Sequence, residues 1–410
     1  MKKTTLLIFI ALLINSVSYS QTVNTGELVI SEGATFTTVQ DFNNTPSASL
    51  INNGELYAYS HWNNDGVVDH DNSGTTHFEG NEVQNISGTG INYLYDVLFN
   101  NNSSQPAFQL SGEISVANES DFNTGIVDSD SFGGVFVFEQ FGDHSHTSED
   151  SHVNGEITKV GDNSFNFPIG DAGYYRYAEI SAPDNPGDTF TANYFFENPD
   201  DNYPIIYRAG VIQFIDDQEY WVVTKDASNS DVILTLSWDE ETTPNFIAME
   251  PYSAMHIVRW DEVGGFWKDE GGVVDVANKT VSTPLALDEY GVFTLARVNE
   301  EIILPDNLVV NNGISPNGDG HNDFFYIDNI ENVQNSKVEI FNRWGAKVFS
   351  AHNYDNVTHV FEGKSDNNLT IGNSYLPSGT YFYLLEYDHI DENGDTHRIN
   401  EADFLYLKTD

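Results

Sequence analysis

The chain has 410 residues, with 63 acidic against 16 basic side chains, a formal charge of −47 and no cysteine. So few bases exclude nucleic acid as a partner, because phosphates are neutralised by Lys and Arg; anionic membrane surfaces are disfavoured for the same reason. The missing cysteine removes both a lipoprotein anchor and a disulfide framework, while 27 Phe and 21 Tyr supply material for several apolar cores.

In chain order, Lys2 and Lys3 precede an apolar run from Leu6 to Ile14, and Ser18-Tyr19-Ser20 places small residues at −3 and −1. This pattern predicts a secretory signal peptide over 1–20, cleaved before Gln21. Its apolar run is too short to span a bilayer, and no transmembrane segment is expected in the mature chain.

From Gln21 to Thr158 there is no Lys or Arg. Short apolar pieces such as Glu27-Leu28-Val29-Ile30, Glu55-Leu56-Tyr57 and Asp96-Val97-Leu98-Phe99 recur between Asn/Gly/Ser turns. The rhythm predicts an all-β chain beginning with a right-handed parallel β-solenoid over 21–142; a meandering sandwich would also satisfy the spacing. Bases reappear beyond the polar stretch Asp143 to Asp150, where strands at 8–15-residue intervals punctuated by prolines predict a β-sandwich over 143–299. Trp221, Trp238, Trp260 and Trp267 are expected in its core or rim, with a sugar-stacking platform as the alternative. Glu300 to Pro305 is a linker into a last domain over 304–410.

That domain holds three separated motifs. The first is Ser315-Pro316-Asn317-Gly318-Asp319-Gly320-His321-Asn322-Asp323, an ordered loop of glycines and oxygen-bearing side chains. The second is Phe341-Asn342-Arg343-Trp344-Gly345, a four-residue turn between strands that reads as a hairpin. The third is Leu376-Pro377-Ser378-Gly379-Thr380-Tyr381, opening a long aromatic strand through Tyr387 that is apolar on both faces and hence expected at the centre of a sandwich. Asn393-Gly394 then turns the chain into a final strand.

Together these blocks resemble the C-terminal domain of gliding-motility-associated proteins of the Bacteroidetes, the type B sorting signal of the type IX secretion system. The resemblance covers about Leu304 to Asp410. It departs at Phe361-Glu362-Gly363, where the family usually has Trp-Asp-Gly. What it implies is an Ig-like β-sandwich read as an export address by the outer-membrane secretion machinery. Arg343 and Trp344 are candidates for a specific structural or recognition contact.

Chemistry-bearing clusters are few. Asn317, Asp319 and Asp323 have the oxygen density of a Ca2+ loop, but the same residues suit a loop that caps its own backbone amides. Asp65, Asp69 and Asp71 form a second such cluster. His144, His146 and His152 could meet at a transition metal, or stand exposed on a surface loop. Neither a nucleophile elbow, a zinc-protease helix motif nor a phosphate loop is present, so no cofactor and no catalytic role is expected. The sequence therefore predicts a non-enzymatic secreted or cell-surface protein with an adhesive role and a glycan or protein ligand. The alternative is a carbohydrate-binding or carbohydrate-degrading protein with its site on the central sandwich.

Overall fold

The structure, a computed structural model, describes residues 20–209, 211–226, 229–298, 308–311, 313–318, 322–343, 345–366, 375–390 and 396–409. The chain is all-β; among the described residues there is no α-helix, and no helix long and apolar enough to cross a membrane.

The N-terminal part is a β-solenoid of about seven turns. One parallel ladder runs through Gln21–Asn24, Asp41–Asn44, Trp62–Asn64, Gln84–Ser87, Phe108–Leu110, Val127–Asp128, Val153–Asn154 and Ile169–Asp171. A second joins Glu27–Ile30, Ser49–Asn52, Val67–Asp69, Val135–Phe138 and Ile157–Val160. A third joins Thr35–Thr38, Glu55–Ala58, Thr75–Gly80 and Asp143–Ser145. The long strands Ile91–Asn101 and Glu113–Thr124 belong to both of the latter ladders, bending between them where their register shifts near Leu94 and Asp96.

Two features of the sequence hold the coils in register. Alternation sends every second side chain inward, so the interior fills with stacked aromatics. Phe42 lies 4.3 Å from Trp62, Phe78 5.8 Å from Phe99, and Phe99 5.4 Å from Phe122, each pair near-parallel. At the corners, buried asparagines bond from coil to coil. Asn24 donates to Asn44 (2.9 Å) and Asn44 to Asn64 (2.8 Å), while Asn64 Nδ2 donates to the Ile91 carbonyl (3.1 Å). Each amide can bond both ways, so the series satisfies backbone groups that a corner would otherwise leave unpaired. Gly66 follows Asn64 because a Cβ there would meet the Ala48 carbonyl at 2.4 Å.

The parallel ladders run past residue 143. Asp143–Ser145 pairs in parallel with Glu113–Thr124, and parallel neighbours continue to Ile169–Asp171. Antiparallel pairing begins where Ile157–Val160 meets Thr189–Phe195. The central region is thus joined to the last coil edge to edge, and a single apolar cluster extends from Ile30 through Phe165 to Leu295. A polar loop marks chain exposure but not the end of a ladder, which explains why composition placed the change of module too early. The central part covers the last coil and so acts as its cap.

Two sheets make up this central region. One runs Thr189–Phe195, Tyr220–Lys225, Gly291–Val298, Met255–Asp261 and Phe266–Asp269. The other runs Phe165–Phe167, Ala178–Ile180, Leu234–Ser237, Thr280–Ser282 and Val273–Asp275. Trp221, Trp238 and Trp267 are buried. The indole nitrogens of Trp221 and Trp267 donate to the carbonyls of Arg176 and Tyr203, both at 3.0 Å.

The C-terminal region has its own apolar cluster, from Leu308 to Leu407. Its five-stranded sheet runs Gly313–Ile314, Thr396–Leu407, Gly379–Ile390, Gln334–Phe341 and Lys347–His352, and Val309–Val310 pairs with Ile327–Asp328 in a second, two-stranded sheet. Gly379–Ile390 is central in its sheet, as its composition suggests. Only one of its faces is covered, however: Tyr383, Leu385 and Tyr387 are buried while Phe382 is 48% exposed. A single packed layer covers one face of a sheet, so the other stays open.

Candidate functional site at the motif end of the C-terminal sheet

The sheet's register brings the three motifs to one end. Ile314 and Gly379 both stand opposite Leu407, and Phe341 stands opposite Phe382, three residues into the same strand. The loops after Ile314 and Phe341, the segment before Gly379 and the chain after Leu407 therefore leave the sheet together. This is the convergence that motif-by-motif reading could not display.

Within the first loop, Ser315 N donates to Asn322 O (2.8 Å) and Asn317 N to Ser315 O (2.7 Å). Gly318 N donates to Asp323 Oδ1 at 2.6 Å. Gly318 and Asn322 hold φ of +81° and +49°, which glycine and asparagine accept most readily. The Asp323 carboxylate thus caps the loop's own backbone. Asp319, Gly320 and His321 lie outside the described residues, as do Trp344 and the turn at Asn393-Gly394; no group of three or more metal-ligating side chains occurs among the described residues.

Pro316 packs beside Gly363, where a Cβ would meet Leu407 at 2.7 Å and Pro316 at 3.3 Å. Gly363 O accepts from Leu376 N (2.7 Å), tying the first motif to the third. Phe361 of the same block is buried, and its carbonyl accepts from Phe325 N at 2.9 Å. The aromatic position is thus filled from the core side although Trp is replaced by Phe.

In the second motif, Asn342 closes the turn. Its amide N donates to Ala346 O (2.9 Å), its carbonyl accepts from Gly345 N (2.9 Å), and its Oδ1 accepts from Ala346 N (3.0 Å). Gly345 has φ +78°. The Arg343 guanidinium reaches across to the third motif, where a Cβ on Gly379 would lie 3.1 Å from Nη2. Burial raises the Tyr381 hydroxyl pKa, and the Arg343 charge offsets part of that rise. Tyr381 donates to Pro377 O (2.9 Å), while Thr409 donates through Oγ1 to Leu376 O (2.8 Å) and through its backbone N to Ser378 Oγ (2.9 Å). Thr380 is exposed beside them, opposite Tyr406. The sequence places Phe382 on a covered face of the strand, whereas it points outward opposite Phe341 of the second motif. The signal was there, since an apolar strand on a small sheet must leave one face open.

Elsewhere the structure separates the other candidates. His146 is exposed beside Asp121 (2.8 Å), whereas His152 is buried and His144 half-buried rather than displayed on a loop. The ladder continuing past 143 turns His144 inward. His144 Nε2 donates to Asn166 O (2.7 Å) and His152 Nδ1 to Ser148 O (3.0 Å), leaving the second nitrogen of each ring buried and unpaired. Burial holds both imidazoles below their usual pKa of 6.5. The unfolded chain takes up protons as pH falls through 6.5 while the folded rings stay neutral, so these histidines cost stability below that pH. Each pH unit between folded and unfolded values corresponds to about 1.4 kcal/mol. Asp216 and Glu219 push the opposite way, because burial raises both carboxyls. The expected result is that His152→Gln melts less acid-sensitively than wild type between pH 7 and 5, measured as the difference between their two Tm profiles.

Asp216 and Glu219 are the most buried acids of the central region. Glu219 accepts from Tyr194 and Thr243, both at 2.6 Å, and Asp216 Oδ1 from the amide of Gln218 at 2.8 Å. Both side chains lie fully inside the central core, with Asp216 Oδ2 buried and unpaired. Asp65 is likewise used locally, accepting from Asn63 (2.8 Å) and from Thr89.

No curated protein and no solved structure matches the chain. Residues 308–407, the segment whose register gathers the three motifs, match the family model of the CHU_C Type IX secretion signal domain, and the C-terminal region of the chain is a domain of that family.

Proposed function

We propose that this is a non-enzymatic protein carried to the cell surface or beyond, with an adhesive or surface-interaction role for everything ahead of the sorting domain. The sorting domain supports export by the type IX machinery, and the observation that carries this half is the convergence of its three motifs on one sheet end within the matched residues. A Sec signal peptide over 1–20 completes the route; residues 1–19 lie outside the described residues, and secreted material beginning at Gln21 is its test.

The adhesive half is supported by the form of the passenger. Stacked coils present extended parallel ladders, and surfaces of this kind suit binding to large partners. The non-catalytic reading is supported by the burial of Asp216 and Glu219 in a braced core. Burial of Trp221, Trp238 and Trp267 leaves only Trp260 of the four rings half-open, beside Arg259 and Tyr290, for a glycan site on the central sandwich. The reading assigns the Asn317–Asp323 loop no resident metal, since Asp323 already caps Gly318; a chelator-induced fall in Tm at constant ionic strength would overturn that point. Cells lacking the protein are expected to attach less well to surfaces, with attachment restored by the re-expressed gene. Unchanged attachment would remove the adhesive half and leave export standing.

A further inference from the structure

The third solenoid face carries a feature that neither export nor coil stacking uses. A groove of about 380 Å³ opens there, lined by Tyr59, Glu79, Gly80, Asn81, Asn100 and Asn102. Its size falls within the usual range for small-ligand sites, roughly 300–1,000 Å³. Tyr59 is 41% exposed, where a core aromatic of this solenoid is wholly buried. Its ring lies 6.3 Å from Tyr57 and within 12° of parallel to it, and Tyr57 stacks on His77 at 4.1 Å. The groove thus adjoins a row of near-parallel aromatic rings.

The polar lining is equally specific in kind. Asn100 Oδ1 accepts from Asn123 at 3.1 Å, so its NH2 is left to donate outward. Asn81 and Asn102 are exposed, with no hydrogen bond from either side-chain amide among the described residues. Glu79 lies beside the Tyr59 hydroxyl and adds a charged acceptor. Amides offer paired donors and acceptors, and an aromatic face takes the C–H side of a pyranose ring. No Lys or Arg occurs between Gln21 and Thr158, so the coils that line the groove supply no Lys or Arg to pair with a sulfate, phosphate or uronate.

We propose that this groove binds a neutral, hydroxyl-rich glycan, with Tyr59 as the stacking wall and Asn81, Asn100, Asn102 and Glu79 as hydroxyl partners. The proposal rests on the adhesive reading and gives it a ligand class.

The test is native electrophoresis of the purified mature chain through gels containing laminarin, mannan or xyloglucan, with alginate as the anionic control and polylysine as the cationic one. Retardation is expected in at least one neutral gel and not in alginate. Tyr59→Ala should weaken it about tenfold, which is roughly 1.4 kcal/mol, and Asn102→Ala should weaken it too. Asn102 is exposed, so its variant keeps the test valid should the tyrosine variant lose Tm. No retardation by any neutral polysaccharide, retardation only by alginate or polylysine, or retardation unchanged in both variants would each overturn the assignment. Attachment of cells lacking the protein is measured separately, so loss of attachment without glycan binding would reject the ligand class and keep the adhesive reading.

Discussion

Replacing Asn64 by alanine is expected to destabilise the N-terminal coils by about 3 kcal/mol. Asn64 is fully buried and bonds three ways, accepting from Asn44 Nδ2 (2.8 Å) and Gly66 N (3.1 Å) and donating to Ile91 O (3.1 Å). Truncation leaves the half-buried Gly66 N and Ile91 O without this partner and Asn44 Nδ2 with only the Val67 carbonyl, and an unsatisfied buried polar group costs about 1–3 kcal/mol. Asn64→Asp should be worse, because it turns a carboxylate on the Ile91 carbonyl where a donor is needed. Coils in a solenoid contact only their neighbours, so the damage should be local. Hydrogen exchange should show residues 21–61 losing protection before the central sheets do. A global loss of protection, or an aspartate variant as stable as wild type, would show that the asparagine series does not hold the coils together.

The same residues show how far the sequence could be read. Asn24, Asn44 and Asn64 recur every twenty residues, two of them in an Asn-x-Gly corner, and that period was open to inspection. Strand spacing alone had left a sandwich as an alternative, because spacing records where turns fall and not which strands pair. The end of the solenoid was less legible. Residues 143–150 are polar and look like a linker, yet Asp143–Ser145 is held by backbone bonds to the neighbouring coil. Backbone pairing leaves no mark in composition, so His144 and His152 also read as exposed when one is half-buried and the other buried. In the C-terminal region the order of the three motifs was plain from their residues. Their meeting at one sheet end depends on the antiparallel register of Gly379–Ile390 with Thr396–Leu407, and register is a tertiary property. The open face around Phe382 follows from packing on one side only, a layer arrangement that no single motif encodes.

The second large effect concerns export. Residues 308–407 bury an apolar cluster of their own, distinct from the one that joins solenoid and central sheets. Contacts to the central region are peripheral by comparison: Tyr207 meets Tyr406 at 5.0 Å, and the Lys408 ammonium rests against Gly265. A segment with its own core and short strand connections should fold without its neighbour. Removing 304–410 should accordingly leave the remainder folded, with a cooperative melting transition, while its appearance outside the cell is all but abolished. A remainder that unfolds would instead mean that the peripheral contacts are structural.

The most direct measurement fuses residues 304–410 to a foreign folded protein carrying a Sec signal peptide, in cells that possess the type IX machinery, and assays the cargo in periplasm, surface and medium. The account predicts cargo at the surface or in the medium, and its return to the periplasm when the machinery is disabled. Cargo that stays periplasmic with the segment attached and folded, or a truncated native chain that still reaches the surface at normal levels, would contradict it.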